Sequence, residues 1–331
     1  MAHDRADTFA VADGVTGIDT RMIGRYLVTS AYLLDANEPI LVETGPATSA
    51  DAVHAGLRDV GIDESALAHV IVTHIHLDHA GGVGTLATRY PNATLWVHHR
   101  GARHLADPTK LVASSARVFG ADRMRRIFGE VVPAPADRLQ SLEDGDVVDV
   151  GGRSLEVLDT PGHASHHLCL IDSRTGAVFT GDALGVHLPD VNVLRPATPP
   201  PEFDIELACE SIERIRRRAE SILLLSHFGP VADVERVCTL AAERIRRWGD
   251  VVRRALVAGD DADRITALLE EEGAQEYRAD SGRAIDMERY DVLSSIRANA
   301  EGLIRYWRKR MEREAEDVLR SAEVTPHVAP E

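Results

Sequence analysis

Residues 72–82 read V-T-H-I-H-L-D-H-A-G-G, and this stretch restricts the fold most tightly. The run leading into it, AHVIVT from Ala68 to Thr73, is apolar without alternation, the pattern of a strand buried on both faces. His74 and His76 stand two apart just past that strand, so an extended backbone points both rings the same way. Asp78 and His79 follow where the chain turns toward a helix, and Gly81 and Gly82 let backbone pass close to the site. Four groups that a borderline cation such as zinc accepts thus gather at one end of a buried strand. A solvated, histidine-rich loop would explain neither the strand leading in nor the residues downstream.

Three further residues each close a strand-like run. His163 follows SLEVLDT in T-P-G-H, Asp182 ends AVFTGD, and His227 ends SILLLSH. In an α/β layer fold, strand ends meet along one edge of the sheet, where sites are assembled. Singly, His163 or His227 reads as a satisfied structural histidine; with the cluster they complete two coordination sets.

The rest of the chain supports that layer fold. Strands are expected over 24–35, 94–98, 146–150, 154–159, 167–171 and 177–181, and helices over 49–60 and 205–219. Residues 101–130, bounded by Gly101, Pro108 and Gly129, read as an insertion of short helices. The proline-rich segment 188–203, LPDVNVLRPATPPPEF, predicts an extended loop. From about Ala232 the strand signal stops. Val234, Val237, Ala241, Ile245, Trp248, Val252 and Leu256 then form one helical stripe, and Val292, Ile296, Leu303 and Trp307 a second. The division expected is a catalytic core over 1–230 and a helical region over 231–331, with the two-proline end 324–331 frayed.

Charge and cysteine usage narrow the partners. With 37 basic against 53 acidic residues the net charge is −16, which argues against a nucleic-acid ligand. The local basic runs, Arg216–Arg218 and Arg305–Arg310, lie among acidic neighbours and read as solvated helix faces. No apolar run approaches the ~18 residues of a membrane span, and the start MAHDRADTFAVADG lacks a secretory pattern, so no membrane and a cytoplasmic location are expected. Cys169, Cys209 and Cys238 are odd in number and unpaired in spacing, which fits buried small hydrophobes.

Taken together, HIHLDH, TPGH, TGD and the final isolated histidine resemble the metallo-β-lactamase-fold hydrolases over about residues 10–230. The resemblance implies an α/β four-layer αβ/βα sandwich, here with a C-terminal helical appendage, and two divalent metal ions at the sheet edge. Zinc is the expected metal, with iron and manganese also compatible. By position, His74, His76 and His163 would bind the first ion, Asp78, His79 and His227 the second, and Asp182 would bridge them. Glu43 in V-E-T-G stands where many members have aspartate, a residue that orients a ligand from behind. His167 matches a second histidine of the family's TPGHTxGH stretch, and the unmatched His166 reads as structural.

The implied chemistry is hydrolysis by a hydroxide held between two metals, with Asp78 as the catalytic orienter and proton acceptor. Asp182 as a bridging carboxylate counts against a true β-lactamase. The absent lysine, arginine and HST-type motifs count against transfer-RNA processing, and His76, which is usually glutamate in flavodiiron proteins, against oxygen reduction. Glyoxalase II-like thioesterases and lactonases keep the ligand set, so a small-molecule ester, thioester or lactone is the expected substrate. Two alternatives stand beside this. One is an iron-dependent, persulfide-dioxygenase-like oxidoreductase, which needs only part of the set; the other is a non-catalytic metal-containing binding or signalling protein. The 101–130 insertion and the loop after Asp182 are candidate pocket walls, and His187 in that loop reads as a surface histidine with substrate contact as the alternative. The C-terminal helices are expected to cap the core, to form a homodimer face, or both.

Overall fold

The computed structural model describes residues 7–219, 221–287, 290–291 and 295–323; Val292 of the second stripe and the end 324–331 lie outside the described residues. Seven strands form one sheet in chain order: β1 (Thr8–Ala12), β2 (Val15–Asp19), β3 (Ser30–Leu34), β4 (Ile40–Val42), β5 (His69–Ile71), β6 (Thr94–His98) and β7 (Leu139–Leu142). β1 to β4 pair antiparallel, and β4 to β7 run parallel. A second sheet has the order β14-β11-β10-β9-β8, built from β8 (Val147–Val150), β9 (Arg153–Asp159), β10 (Leu168–Asp172), β11 (Val178–Gly181) and β14 (Leu223–Leu225).

The layers follow from the two-residue period of the strands. In β4, Ile40 and Val42 join Leu155, Leu168, Leu170, Phe179 and Leu224 in the cluster between the sheets. Leu41 points the other way, into a cluster with Val53 and Leu57 of α1 (Ala50–Asp59) and Leu86 of α3 (Val83–Arg89). In β10, Cys169 and Ile171 face outward against Ile212 and Ile215 of α7 (Ile205–Arg218), the crossover that delivers β14 parallel to β11. Helices therefore cover the outer face of each sheet, and strands such as β3, β10 and β14 are buried along their whole length. This is the expected αβ/βα sandwich.

Two readings need correction. The proline-rich segment is not only an extended loop: β12 (Val186–Leu188) and β13 (Val193–Arg195) pair as a hairpin, closed by a turn with Asn192 at φ 53. Short runs on either side of that turn are buried; Pro189 falls in the turn itself, and the other prolines of the segment follow the second strand. His187 lies in β12 with 7% exposure, so it is a core histidine, not a surface one. Its Nδ1–H donates to the Phe228 carbonyl at 3.0 Å.

The insertion is α4 (His99–Ala106), α5 (Thr109–Phe119) and α6 (Ala121–Phe128), separated at Pro108 and at Gly120 with φ 80. No residue of α5 is fully buried. After β14 come α8 (Val234–Ala258), α9 (Ala262–Ser281) and α10 (Ile296–Glu323). Val237, Ala241, Ile245, Trp248 and Val252 of α8 share one apolar cluster with Ile265 and Leu269 of α9, Leu303 of α10 and the outer face of the second sheet. Among the described residues, no helix is long and apolar enough to cross a membrane.

Candidate metal centre

All seven residues singled out by the sequence come together at the strand ends. β5 ends at Ile71, and an irregular run with a bend at Thr73 leads to the start of α2 (Leu77–Ala80), which carries Asp78 and His79. His163 stands between β9 and β10, Asp182 follows β11, and His227 follows β14. His74 Nε2 lies 3.1 Å and His163 Nε2 2.9 Å from His76 Nδ1. On the other side, His227 Nε2 is 3.2 Å and His79 Nε2 3.7 Å from Asp78 Oδ2. Asp182 faces both groups, with Oδ1 3.2 Å from His79 Nε2 and Oδ2 3.5 Å from His163 Nε2.

The groups behind the rings decide which nitrogens point inward. His74 Nδ1–H donates to the Thr73 hydroxyl at 3.0 Å, and that hydroxyl donates in turn to Glu43 Oε1. His163 Nδ1–H donates to the Ala197 carbonyl at 3.1 Å and His227 Nδ1–H to the Val28 carbonyl at 3.0 Å. Each of these three histidines therefore turns its Nε2 to the centre. Glu43 also accepts from the Ser226 hydroxyl at 3.1 Å and lies 3.5 Å from His79 Nδ1, so glutamate reaches the histidine despite its extra methylene.

Burial and charge divide the rings into two sets. Burial and neighbouring histidines hold His74 and His76 well below the ordinary imidazole range, and burial lowers His163 as well. Burial also acts on His79 and His227, but Asp182 and Asp78 outweigh it and hold both above that range. Asp78 and Asp182 are in turn held below the ordinary carboxylate range: burial opposes this, and the charges of His79 and His227 win. Three lone-pair donors crowd together on one side, and two histidines facing ionised carboxylates on the other.

A cation fits this arrangement. His79 Nε2 and Asp182 Oδ1 are buried with no hydrogen-bond partner among the described residues, a costly state for polar atoms. The ligand atoms of His74, His76 and His163, those of His74, His79 and Asp182, and those of Asp78, His79 and His227 lie within 4.8 Å of one another in each set. Neutral imidazole nitrogens and carboxylate oxygens are the donors of zinc and of similar divalent ions.

Two other histidines have supporting places. His167 Nδ1–H donates to the Thr160 hydroxyl at 2.7 Å, leaving Nε2 to accept the Asp182 backbone N–H at 3.1 Å. It thus fixes the chain at Asp182. His166 joins neither set; burial pushes it down to about 4, and its Nδ1 accepts the Ile75 N–H at 3.4 Å on the wall of a cavity. Thr73, Ser226 and Thr160 were not singled out in the sequence, since each acts only through a partner that the fold brings to it.

That cavity, of about 320 Å³, opens directly on His76, Asp78, His163, Asp182 and His227. Its walls are the α4–α6 insertion, the prolines 199–201 and the region around Asn299 of α10. The insertion and the loop after Asp182 thus both border it, and of the C-terminal helices α10 does too.

Comparison with known proteins gives a consistent picture. Residues 24–227 match the family model of the metallo-beta-lactamase superfamily. A lactamase-like protein of Aspergillus sp. is 30% identical over 152 residues, which is 45% of this chain and 36% of that protein. An atrochrysone carboxyl ACP thioesterase of Emericella nidulans is 26% identical over 259 residues, 71% of this chain and 67% of its own. Against three of its curated relatives the chain spans 36%, 38% and 62% of their length. The crystal structure of a metallo-beta-lactamase family protein from Thermus thermophilus matches with a TM-score of 0.61 at 22% identity, covering 85% of this chain and 89% of that one. That likeness shows the fold alone.

Proposed function

The chain belongs to the metallo-beta-lactamase superfamily, and from that premise we propose that it is a dinuclear metal-dependent hydrolase of small-molecule thioesters, esters or lactones. The observation that carries this reading is the approach of two ligand sets, His74, His76 and His163 against Asp78, His79 and His227, with Asp182 facing both at the floor of one cavity. Relatives named as thioesterases, at 26–29% identity, favour the thioester among the three substrates.

Bound in these sets, two divalent cations would bring the pKa of water toward neutrality and polarise the carbonyl under attack. The chain's own residues do the rest. Asp78 is the more open of the two central carboxylates, its side chain 23% exposed against 7% for Asp182. In this reading it takes the proton of the attacking water and returns it to the leaving thiol or alcohol. Hydrogen bonds through Thr73, Ala197 and Val28 fix the histidine rings before substrate arrives. Ile75, Leu77, Val186 and Phe128 make the cavity wall apolar beside the centre, which excludes water and seats an acyl group.

Metal analysis of protein purified without added metal, followed by a panel of thioesters, lactones, phosphodiesters and β-lactams, tests the reading. Two ions per chain with turnover of a thioester or lactone is the expected result. One iron per chain with oxygen-dependent turnover would replace it by the oxidoreductase. Uniform inactivity at full metal occupancy would replace it by the binding protein.

A further inference from the structure

The chain carries a net charge of −16, yet seven of its basic residues and only two acidic ones stand between His99 and Phe128. This is the segment that folds as α4–α6 and walls the cavity. Two of its cations, Lys110 on α5 and Arg123 on α6, line the cavity and make no hydrogen bond or ion pair with any described residue. Other cations of the segment are engaged: Arg100 donates to the Ser165 carbonyl at 3.2 Å, and Arg125 pairs with Asp122 at 2.8 Å.

The acids that share the lining do not answer these two charges. Glu202 accepts from the Ser165 N–H and hydroxyl at 3.0 and 2.7 Å, and Asp291 accepts the Ile296 N–H at 3.1 Å. Asp78 and Asp182 belong to the metal centre. Beside Lys110, one helical turn on, the hydroxyls of Ser114 and Ser115 also line the cavity without a partner among the described residues. Two exposed cations and two hydroxyls therefore face one space, and all four can donate to an anion. A solvated helix face explains outward residues such as Arg117, but it does not explain cations turned to the cavity.

We propose that Lys110 and Arg123, with Ser114 and Ser115, hold a phosphate on the leaving arm of the substrate, so that the substrate class is the acyl thioester of a phosphorylated thiol. The inference rests on the hydrolase reading and adds to it. The volume of about 320 Å³ and the apolar wall beside the centre suit the acyl group. A phosphate would lose hydration if buried there, and it stays at the rim where both cations are exposed. In the reaction the acyl C–S bond breaks, water supplies the new C–O bond, and the thiol departs protonated with its phosphate intact.

The test is a binding titration of the zinc-loaded full chain with pantetheine and with 4′-phosphopantetheine. The shared thiol makes any contact with the metals common to both. We expect the phosphorylated thiol to bind about tenfold more tightly at low salt, an advantage that shrinks as salt screens it. Lys110→Ala and Arg123→Ala should each cut the advantage about threefold, and the double variant should remove it, while Arg117→Ala leaves it in place. Pantetheine affinity reports in each variant whether the cavity is still formed. Equal affinity of the native chain for the two thiols overturns the proposal, as does an advantage that survives the double variant. Because no turnover is read, selective binding without any thioester hydrolysis would overturn the hydrolase reading and leave the phosphate site standing.

Discussion

Thr73 sits one residue before the first clustered histidine, and its hydroxyl works in two directions. It accepts from His74 Nδ1–H and donates to Glu43 Oε1, which also takes the Ser226 hydroxyl from 183 residues away. A chain of this kind sets the tautomer of His74 and keeps the Glu43 carboxylate near His79. Thr73→Val keeps the shape and removes both hydrogen bonds, so zinc affinity should fall about 10- to 100-fold in a chelator competition, with Thr73→Ser restoring it. Unchanged affinity in the valine variant would strip Thr73 of that role. Asp78→Ala goes further. Turnover should drop by about 10²- to 10⁴-fold as its proton acceptor is lost, and near-native turnover with both metals bound would refute the assignment. The candidate ligands were legible because four of them form one local pattern and the other three each close a strand-like run. Their supports were not, because Thr73, Ser226 and His167 are ordinary residues until the fold brings their partners close.

At the scale of elements, the site depends on how each strand ends. β11 ends at Gly181 with φ 49, where a Cβ would lie 2.5 Å from both His167 Nε2 and Thr73 Oγ1. The residue that follows is Asp182, held by His167 through its backbone N–H. Gly181→Ala should therefore displace His167 and Asp182 together, because the αL backbone and the close approach both exclude a side chain. Metal content read by mass spectrometry should drop below that of the native chain; two ions bound at native affinity would show that the turn is not the constraint. The strands on either side were readable for one reason: burial on both faces makes them apolar without interruption, as in β5, β10 and β14. β12 and β13 escaped notice because each is only three residues long and the prolines just beyond β13 dominate the pattern. His187 was misread with them. Its place is structural, since it braces the Phe228 carbonyl next to the candidate ligand His227.

Across the whole molecule, a buried ion pair ties the layers together and a buried amide ties α10 to the cavity. Arg153 joins the sheets, bound to Asp172 at 2.7 Å and donating to the Gly14 carbonyl at 2.9 Å. Asn299 of α10 borders the cavity and accepts the Thr198 N–H at 2.6 Å, so the C-terminal helices and the cavity wall are one packed structure. Their own packing contains a weak point at Glu276 of α9. Its Oε2 accepts Trp248 Nε1–H at 3.3 Å, and Oε1 is buried with no hydrogen-bond partner among the described residues. Arg244 lies 3.8 Å away, but its guanidinium is already bound to Asp280 at 2.7 and 2.8 Å. Burial, only partly offset by Arg244 and Trp248, pushes the Glu276 carboxyl from an ordinary 4.5 up to about 7. Between those values the folded chain holds a proton that the unfolded chain has released, so stability declines as pH rises through the window. The loss is complete above about pH 7 and amounts to at most about 3 kcal/mol. Glu276→Gln cannot ionise, so it should melt higher than the native chain at pH 8 and show a flatter Tm between pH 5 and 8. Parallel Tm curves for the two proteins over that range would mean that Glu276 stays charged in the fold, with Arg244 compensating it fully.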